Sequence, residues 1–261
     1  MSIFLHLVAD YGKNDPAFNE VKQRLLYHYP EFVISETSVP AFNTISTGFW
    51  IYQYAMGQHP EKMMIYSNTA PRKDNKKERK ENAGEHFIYA KLENGVKILA
   101  VNSGFTFSFI KPYIKELKAI NIPNQGSQFR SRDFYPLAAG KIVKGENDIL
   151  GIDLNPEEIP AIPTNRIAWV DGYGNIKTTM RKSQITYEQG SKVQVIIDGV
   201  IRTALVSGGS FSVSEGELAL SFGSSGYEDP FVEVFLRGGD AYTHFNNPSW
   251  YADIKIQSFI S

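Results

Sequence analysis

A proline-rich segment divides the chain into two parts whose hydrophobic patterns differ. Asn155 to Pro163 carries three prolines in nine positions. Proline fixes φ and removes a backbone donor, so a segment this rich in proline is typical of an extended linker. We therefore expect a first domain over residues 1–154, a linker over 155–165 and a second domain over 166–261.

The first part alternates short apolar runs with helical patterns, which predicts an α/β domain with a mostly parallel sheet. Asp15 and Pro16 form a typical helix start, and Asn94-Gly95 is a strong hairpin signal. The predicted strands are Ile3–Ala9, Phe32–Ser35, Met63–Tyr66, Phe87–Leu92, Val96–Val101 and Ala119–Ile122. Helices are predicted from Pro16 through Leu26, over Asn43–Met56, around Phe107–Leu117, and through Ala139 with Asp133 as the cap.

The second part contains short apolar runs separated by glycine-rich turns. The predicted strands are 166–170, 176–180, 192–197, 200–206, 217–222, 231–236 and 253–259. No helix of convincing length interrupts them. This pattern is typical of a small β-barrel or sandwich, and we expect a small all-β barrel.

Composition narrows the class of protein further. The 261 residues are 42% hydrophobic and 13% aromatic, which is enough for a packed core. A formal net charge of −1 gives no reason to expect nucleic acid or an anionic membrane as a partner. The chain has no cysteine, which fits a reducing compartment, and no apolar run long enough for a membrane span. We expect a cytoplasmic protein.

The common catalytic motifs are absent from the sequence. It contains no P-loop, no dinucleotide-binding glycine pattern, no G-x-S-x-G and no H-E-x-x-H. Its five histidines show no metal-ligand spacing. We therefore expect no metal and no bound cofactor.

One charged segment, Arg72 to Glu81, has no apolar residue. It is typical of a solvated loop. A phosphate-binding or nucleic-acid-binding arm is the alternative, but no aromatic side chains interrupt the charges to stack on bases.

Polar residues cluster where predicted strands end, and ligands of parallel α/β sheets bind at that edge. Asp10 directly follows the first strand, where its carboxylate could accept hydrogen bonds from ribose hydroxyls. For Asp15, we favour the interpretation as a helix cap. Further along, the stretch 129–139 places two arginines and an aspartate before a helix. In the second part, similar polar turns occupy 171–175, 224–227 and 236–239.

In order and spacing, these clusters resemble the S-adenosyl-L-methionine (SAM) hydrolases of the hydroxide adenosyltransferase family, which includes fluorinases and chlorinases. Asp10-Tyr-Gly-x-x-Asp15 resembles the opening D-x-G-x-x-D of that family. Residues 129–139 resemble its T-F-x-[GS]-R-D-x-x-x-P-x-A-A segment. The turns 171–175 and 224–227 resemble its D-x-F-G-N and N-S-x-G-Y turns.

The resemblance implies an α/β domain followed by a β-barrel, assembled as a homotrimer. SAM would bind between the first domain of one subunit and the second domain of its neighbour. Water or a halide would then attack C5′ of the ribose in line and release methionine. Because the sulfonium is a good leaving group, the protein needs mainly to orient and desolvate the reactants.

The resemblance implies ligand contacts for the residues of this chain that match the motifs of the family. Asp10 would hold the ribose diol, Asp15 completes the same motif, and Phe42 would pack on the ligand. Asp171 and Ser224 would bind the methionine amine and carboxylate. Asn175 and Arg237 would contact adenine or flank it.

The positions of the catalytic loops hold altered residues. Asn68 stands where the hydrolases carry a water-activating Asp, and Arg130 stands where they carry a His. The position of the family's arginine falls near Asn75. Neither an amide nor a guanidinium can relay a proton at neutral pH. Ser131 lies where halogenases place a halide-contacting serine, with Thr69 or Ala70 in the opposite wall.

Three hypotheses follow from these residues. The chain is a SAM-consuming adenosyltransferase-type enzyme, or it is a catalytically degenerate homologue that binds SAM, adenosine or a related nucleoside. The third hypothesis is a structural or interaction protein whose turns are only turns. Because turn formation does not require Asp10, Asp171 or Asn175 in particular, those residues favour the first two.

Overall fold

The computed structural model describes residues 2–70, 85–123 and 125–259. It divides into two compact units, Met1–Ala161 and Ile162–Ser261, and this boundary falls within the predicted linker. The charged segment 72–81 and Asn75 lie outside the described residues. Within the described ranges, no helix is long and apolar enough to cross a membrane.

The first unit is built on a seven-stranded sheet in the order β2-β1-β3-β5-β4-β6-β7. Its strands are β1 (Ile3–Ala9), β2 (Phe32–Ser38), β3 (Met63–Asn68), β4 (Phe87–Leu92), β5 (Lys97–Val101), β6 (Ile114–Ile120) and β7 (Leu150–Asp153). Its α-helices are α1 (Pro16–His28), α2 (Thr44–Met56), α3 (Arg130–Asp133) and α4 (Tyr135–Lys144).

The sheet is mixed, which corrects the expectation of a mostly parallel one. Strands β2, β1, β3 and β5 pair in parallel, whereas β4 pairs antiparallel with both β5 and β6. The Asn94-Gly95 hairpin turns the chain back on itself here and so produces the antiparallel half. The parallel half matters for the site, because the ends of β1 and β3 lie side by side.

The predicted helix around Phe107–Leu117 is wrong. Residues 104–110 form consecutive turns, and the chain enters β6 at Ile114. Pro112 could not donate a helical hydrogen bond, and the free edge of β4 supplies backbone partners for β6 instead. The predicted strand at Ala119–Ile122 is therefore the end of this longer strand.

The predicted cap at Asp133 is also wrong. Asp133 ends the short helix α3, and its carboxylate accepts hydrogen bonds from Arg132 Nε at 2.7 Å and Ser127 Oγ at 2.5 Å. The longer helix α4 begins at Tyr135 without a side-chain cap. Pro136 in its first turn lacks an N–H, which leaves one donor fewer to satisfy.

The second unit contains a seven-stranded sheet in the order β14-β10-β11-β12-β13-β9-β8. Its strands are β8 (Ile167–Val170), β9 (Ile176–Arg181), β10 (Lys192–Ile197), β11 (Val200–Val206), β12 (Leu218–Phe222), β13 (Phe231–Leu236) and β14 (Ile254–Ser258), with one short α-helix, α5 (Ala241–His244). The pairs are antiparallel except β11 with β12. The sheet curls, so that Arg166 and Asp253 form one bridge between its two edges.

Candidate functional site

A cavity of about 400 Å³ lies in the first unit at the ends of β1 and β3. Seven sequence-predicted residues line it, namely Asp10, Asp15, Phe42, Asn68, Ala70, Arg130 and Ser131. They come from four separate regions of the chain. The parallel strands bring the first and third regions together, and the packing of α1 beside α3 and α4 brings the fourth.

Asp10 and Phe42 form one wall of the cavity. The Phe42 N–H donates to Asp10 Oδ2 at 2.9 Å. Phe42 has φ 63°, a left-handed conformation that is strained for a bulky side chain. Its ring is nevertheless 37% exposed, so it does not serve as ordinary core. The strained loop therefore holds an aromatic ring at the cavity rather than in the core.

Asp15 contributes to a different part of the lining. Its Oδ1 accepts the Ala17 N–H at 2.8 Å, which makes it the N-cap of α1. Asp15 therefore both caps a helix and faces the cavity. The capping contact accounts for its position without a ligand.

Tyr11 and Ser131 form a part-buried contact in the wall of the cavity. The Tyr11 hydroxyl donates to Ser131 Oγ at 2.7 Å, and the Tyr66 hydroxyl donates to the Ser131 carbonyl oxygen at 2.6 Å. Burial raises the pKa of Tyr11 far above its usual range, so the phenol stays protonated at neutral pH. The Asn68 side chain also lies beside this phenol and acts against the rise in pKa.

The direction of these hydrogen bonds follows from counting hydrogens. Tyr11 has one hydroxyl hydrogen, which goes to Ser131, so its oxygen can only accept from the Asn68 amide. Ser131 then keeps its own hydroxyl hydrogen for another acceptor. Asn68 suits this series of hydrogen bonds, because a carboxylate at that position would have no hydrogen to donate to Tyr11.

Arg130 and Tyr135 continue the wall. Burial raises the pKa of Tyr135, and a hydrogen bond from Arg130 acts against this rise. The Tyr135 ring stacks on Phe87 with centroids 4.1 Å apart. Arg130 also donates to the Ser127 carbonyl oxygen at 3.4 Å. Asn68, Arg130 and the two tyrosines therefore contain no group that accepts a proton from water at neutral pH.

Thr69 and Ala70, the two residues predicted for the opposite wall, lie in different places. Ala70 lines the cavity, but Thr69 is fully buried elsewhere. Thr69 Oγ1 accepts a hydrogen bond from Thr47 at 2.8 Å, and its carbonyl oxygen accepts one from Ser103. Thr69 is therefore part of a buried hydroxyl cluster at the start of α2.

Among the lining residues that sequence reasoning did not single out are Tyr11, Glu85 and Tyr135. Tyr11 lies between the two aspartates of the first motif, and Tyr135 lies within the fourth region. Their positions in these motifs could therefore have identified them as site residues. Glu85 is an isolated acidic residue before β4, and no motif includes it.

The second unit holds the other predicted residues. Asp171 Oδ1 accepts from the backbone N–H of Tyr173 and of Asn175, at 2.9 and 3.1 Å. Its other oxygen accepts from Asn175 Nδ2 at 3.0 Å and lies 3.8 Å from Lys177 Nζ. The Lys177 ammonium makes its shorter contact, 2.8 Å, with Glu233. Asp171 and Asn175 therefore stabilise their own turn.

Ser224 and Arg237 lie on other turns of the second unit. Ser224 is exposed, next to Gly223, which packs against the Glu233 carboxylate. Arg237 donates to the Val213 carbonyl oxygen, and its guanidinium carbon lies 5.6 Å from the centre of the Phe211 ring.

No group suited to a metal is present among the residues that the structure describes. Histidine, aspartate and glutamate side chains do not gather there in sets of three or more.

Comparison with known proteins identifies the fold. No family model matches the chain, and no curated protein matches it. An uncharacterized conserved protein from Thermotoga maritima has a crystal structure with a TM-score of 0.78 at 18% identity, covering 97% of this chain and 99% of that one. A conserved hypothetical protein from Thermus thermophilus gives 0.71 at 17% identity, covering 98% and 100%. At these identities the likeness establishes a shared fold.

Proposed function

We propose that the cavity of the first unit binds SAM or an adenosine-like nucleoside. The observation that carries this proposal is that seven residues chosen from the sequence line one cavity of about 400 Å³. That volume falls within the usual range for small-molecule sites. Asp10 offers carboxylate oxygens to a ribose diol, and the Phe42 ring offers a surface for stacking.

The charges of the cavity suit this ligand better than a nucleotide. Its described lining includes three carboxylates, from Asp10, Asp15 and Glu85, and one guanidinium, from Arg130. A polyphosphate would be repelled by such a lining, whereas a neutral nucleoside or a sulfonium cation would not.

The reaction we propose is an in-line displacement at C5′. Water or an anion attacks that carbon, and the electron pair of the C–S bond goes to sulfur. Attack by water gives methionine, adenosine and a proton released to solvent, whereas attack by an anion gives methionine and a 5′-substituted adenosine. The Ser131 hydroxyl is the group of this chain that would donate a hydrogen bond to the attacking atom.

A second candidate is a homologue that binds the ligand without turnover. The observation that favours it is the chemistry of Asn68, Arg130, Tyr11 and Tyr135, since none of them accepts a proton near neutral pH. An anion as nucleophile needs no such group, so the two candidates differ in whether SAM is converted at all.

Calorimetry tests the binding proposal. We expect SAM, adenosine or S-adenosylhomocysteine to bind with a micromolar Kd, and Asp10→Asn to weaken that binding at least about tenfold because one carboxylate acceptor is lost. Asp153→Asn, on the exposed edge strand β7, is the matched control. Absence of binding by all three ligands would contradict the proposal.

Chromatography of adenosine released from SAM separates the two candidates. The native protein is compared with Asn68→Asp and Arg130→His, alone and together, with and without chloride. Release by the native protein supports the enzyme. Release by the variants alone supports the degenerate homologue.

We also propose the wider assembly that accompanies this function, a cytoplasmic homotrimer whose second unit closes as a small barrel. The bridge between Arg166 and Asp253 and the bond from Ile254 N–H to the Asn165 carbonyl oxygen, 2.8 Å, support the closure. The absence of cysteine supports the compartment. Light scattering on the purified chain tests the trimer, which requires three times the mass of one chain.

A further inference from the structure

Glu85 lies directly before β4 and forms part of the cavity wall. One of its carboxylate oxygens, Oε1, is buried and has no hydrogen-bond partner among the residues that the structure describes. A buried carboxylate oxygen without a donor is costly, so native proteins normally supply one from the chain, from water or from a ligand. The charge of Glu85 is therefore less compensated by the described part of the chain than that of a carboxylate with hydrogen-bond donors.

The other two carboxylates of the cavity have partners in the chain. Asp10 accepts the N–H of Phe42, and Asp15 accepts the N–H of Ala17. Glu85 differs from both because it has an oxygen that is shielded from solvent and not used by the backbone. In a partly desolvated position a charge acts on a neighbouring ion more strongly than it does at the surface.

Arg130 carries the one positive charge in the described lining of the cavity. Arg130 hydrogen bonds to Tyr135, and the negative charge of Glu85 raises the pKa of the same tyrosine. Arg130 supplies one positive charge against the three carboxylates of the described lining. A cation in the cavity would therefore still meet a net negative field.

From this arrangement we propose that Glu85 makes the cavity selective for a ligand that carries a positive charge near the reacting centre. Such a ligand is a sulfonium, as in SAM, in preference to the neutral thioether, as in S-adenosylhomocysteine. This inference rests on the proposed nucleoside-binding function. Glu85, which belongs to none of the sequence motifs, would then determine the preference for SAM over S-adenosylhomocysteine.

Calorimetry with SAM, S-adenosylhomocysteine and adenosine tests the proposal on the intact chain. We expect the native protein to bind SAM about tenfold more tightly than S-adenosylhomocysteine, which corresponds to about 1.4 kcal/mol. Glu85→Gln keeps the shape and removes the charge, so it should abolish most of this preference by weakening SAM alone. Glu85→Asp should keep part of the preference, and it serves as a second variant if Glu85→Gln folds poorly.

The matched control is Glu93→Gln, which makes the same chemical change at an exposed turn of the same unit. It should leave both affinities unchanged. An unchanged ligand preference in Glu85→Gln would overturn the inference, because the charge of Glu85 would then contribute nothing to the preference. An equal loss for SAM and S-adenosylhomocysteine would also overturn it, since it would indicate a role in shape. If the native protein binds none of the three ligands, the proposed function itself is wrong.

Discussion

At the scale of single residues, the Tyr11 hydroxyl organises the base of the cavity. It links Asn68, which ends a strand in the parallel half of the sheet, to Ser131, which lies in α3. Ser131 is 3% exposed and cannot exchange its partner for bulk water. The orientation of its hydroxyl therefore depends on one buried phenol.

We expect Tyr11→Phe to lower the free energy of unfolding by about 1–2 kcal/mol. The ring and its packing against Phe18 remain, but Ser131 and Asn68 each lose a hydrogen-bond partner in a buried setting. Urea unfolding measures the change. Tyr27→Phe, which removes the hydroxyl of a residue that is 74% exposed, should change stability by less than about 0.5 kcal/mol.

Equal stability of native protein and Tyr11→Phe would show that the hydrogen bond from Tyr11 to Ser131 contributes nothing net. The orientation that we propose for the Ser131 hydroxyl would then not depend on Tyr11.

At the scale of secondary-structure elements, α2 decides where the chain runs between β5 and β6. Gly48 lies in this helix against the turns of residues 104–110. A Cβ built there would lie 2.9 Å from the Phe109 ring and closer still to the Phe105 carbonyl oxygen. The absence of a side chain at Gly48 therefore allows these turns to pack directly on the helix.

We expect Gly48→Ala to destabilise the first unit. Helix propensity alone predicts a gain of about 1 kcal/mol from this change. Overpacking against a backbone carbonyl costs about 1–3 kcal/mol or more, and the close contact with Phe105 leaves little room to relax. The packing cost should prevail, and thermal unfolding followed by circular dichroism should show a lower Tm.

Gly172→Ala is the control, because a Cβ there would meet nothing within 4 Å. It should leave the Tm nearly unchanged. A higher Tm for Gly48→Ala would mean that intrinsic propensity outweighs packing and that the turns can move away from α2.

At the scale of the whole molecule, His6 couples the stability of the protein to pH. It lies on β1 and stacks on Tyr54 of α2, with ring centroids 3.8 Å apart. Burial lowers the pKa of His6 from 6.5 to about 4. The folded state therefore resists protonation at a pH where the unfolded chain accepts it.

We expect this contribution to be complete above pH 6.5 and to be lost as the pH falls from 6.5 to about 4. The loss should be on the order of 1–2 kcal/mol once solvent screening of a half-buried group is considered. His6→Phe keeps an aromatic ring against Tyr54 and removes the titration. Its unfolding free energy should therefore fall less steeply between pH 7 and pH 4.

His86→Phe makes the same change at an exposed position and should retain the native pH dependence. If His6→Phe and the native protein lose stability in parallel over this range, carboxylates rather than His6 determine the acid sensitivity.

Local signals explain which elements could be predicted. The strand at Ile3–Ala9, the helix that begins after Asp15 and the Asn94-Gly95 hairpin each depend on neighbouring residues, and each is confirmed. The prediction around Phe107–Leu117 was wrong because an apolar run suits a buried turn as well as a helix. Pro112 was a local warning, but the pairing of β6 with β4 is a long-range contact.

The candidate site was predictable in part for the same reason. Asp10, Phe42 and Arg130 were found from motifs, and the structure places them on one cavity. No motif includes Glu85, so only the tertiary structure shows that it lies in the cavity wall. Asp171 and Asn175 were found as a turn, and their hydrogen bonds to each other show how that turn is held.

The sequence by itself determined the change from alternating strands and helices to short strands, and it named polar residues at strand ends. These properties depend on residues close together in the chain. Only the tertiary structure decided which polar groups meet and which donates to which. The bond from Tyr11 to Ser131 joins residues 120 positions apart, and no local pattern encodes the direction of such a hydrogen bond or the buried oxygen of Glu85 beside the same cavity.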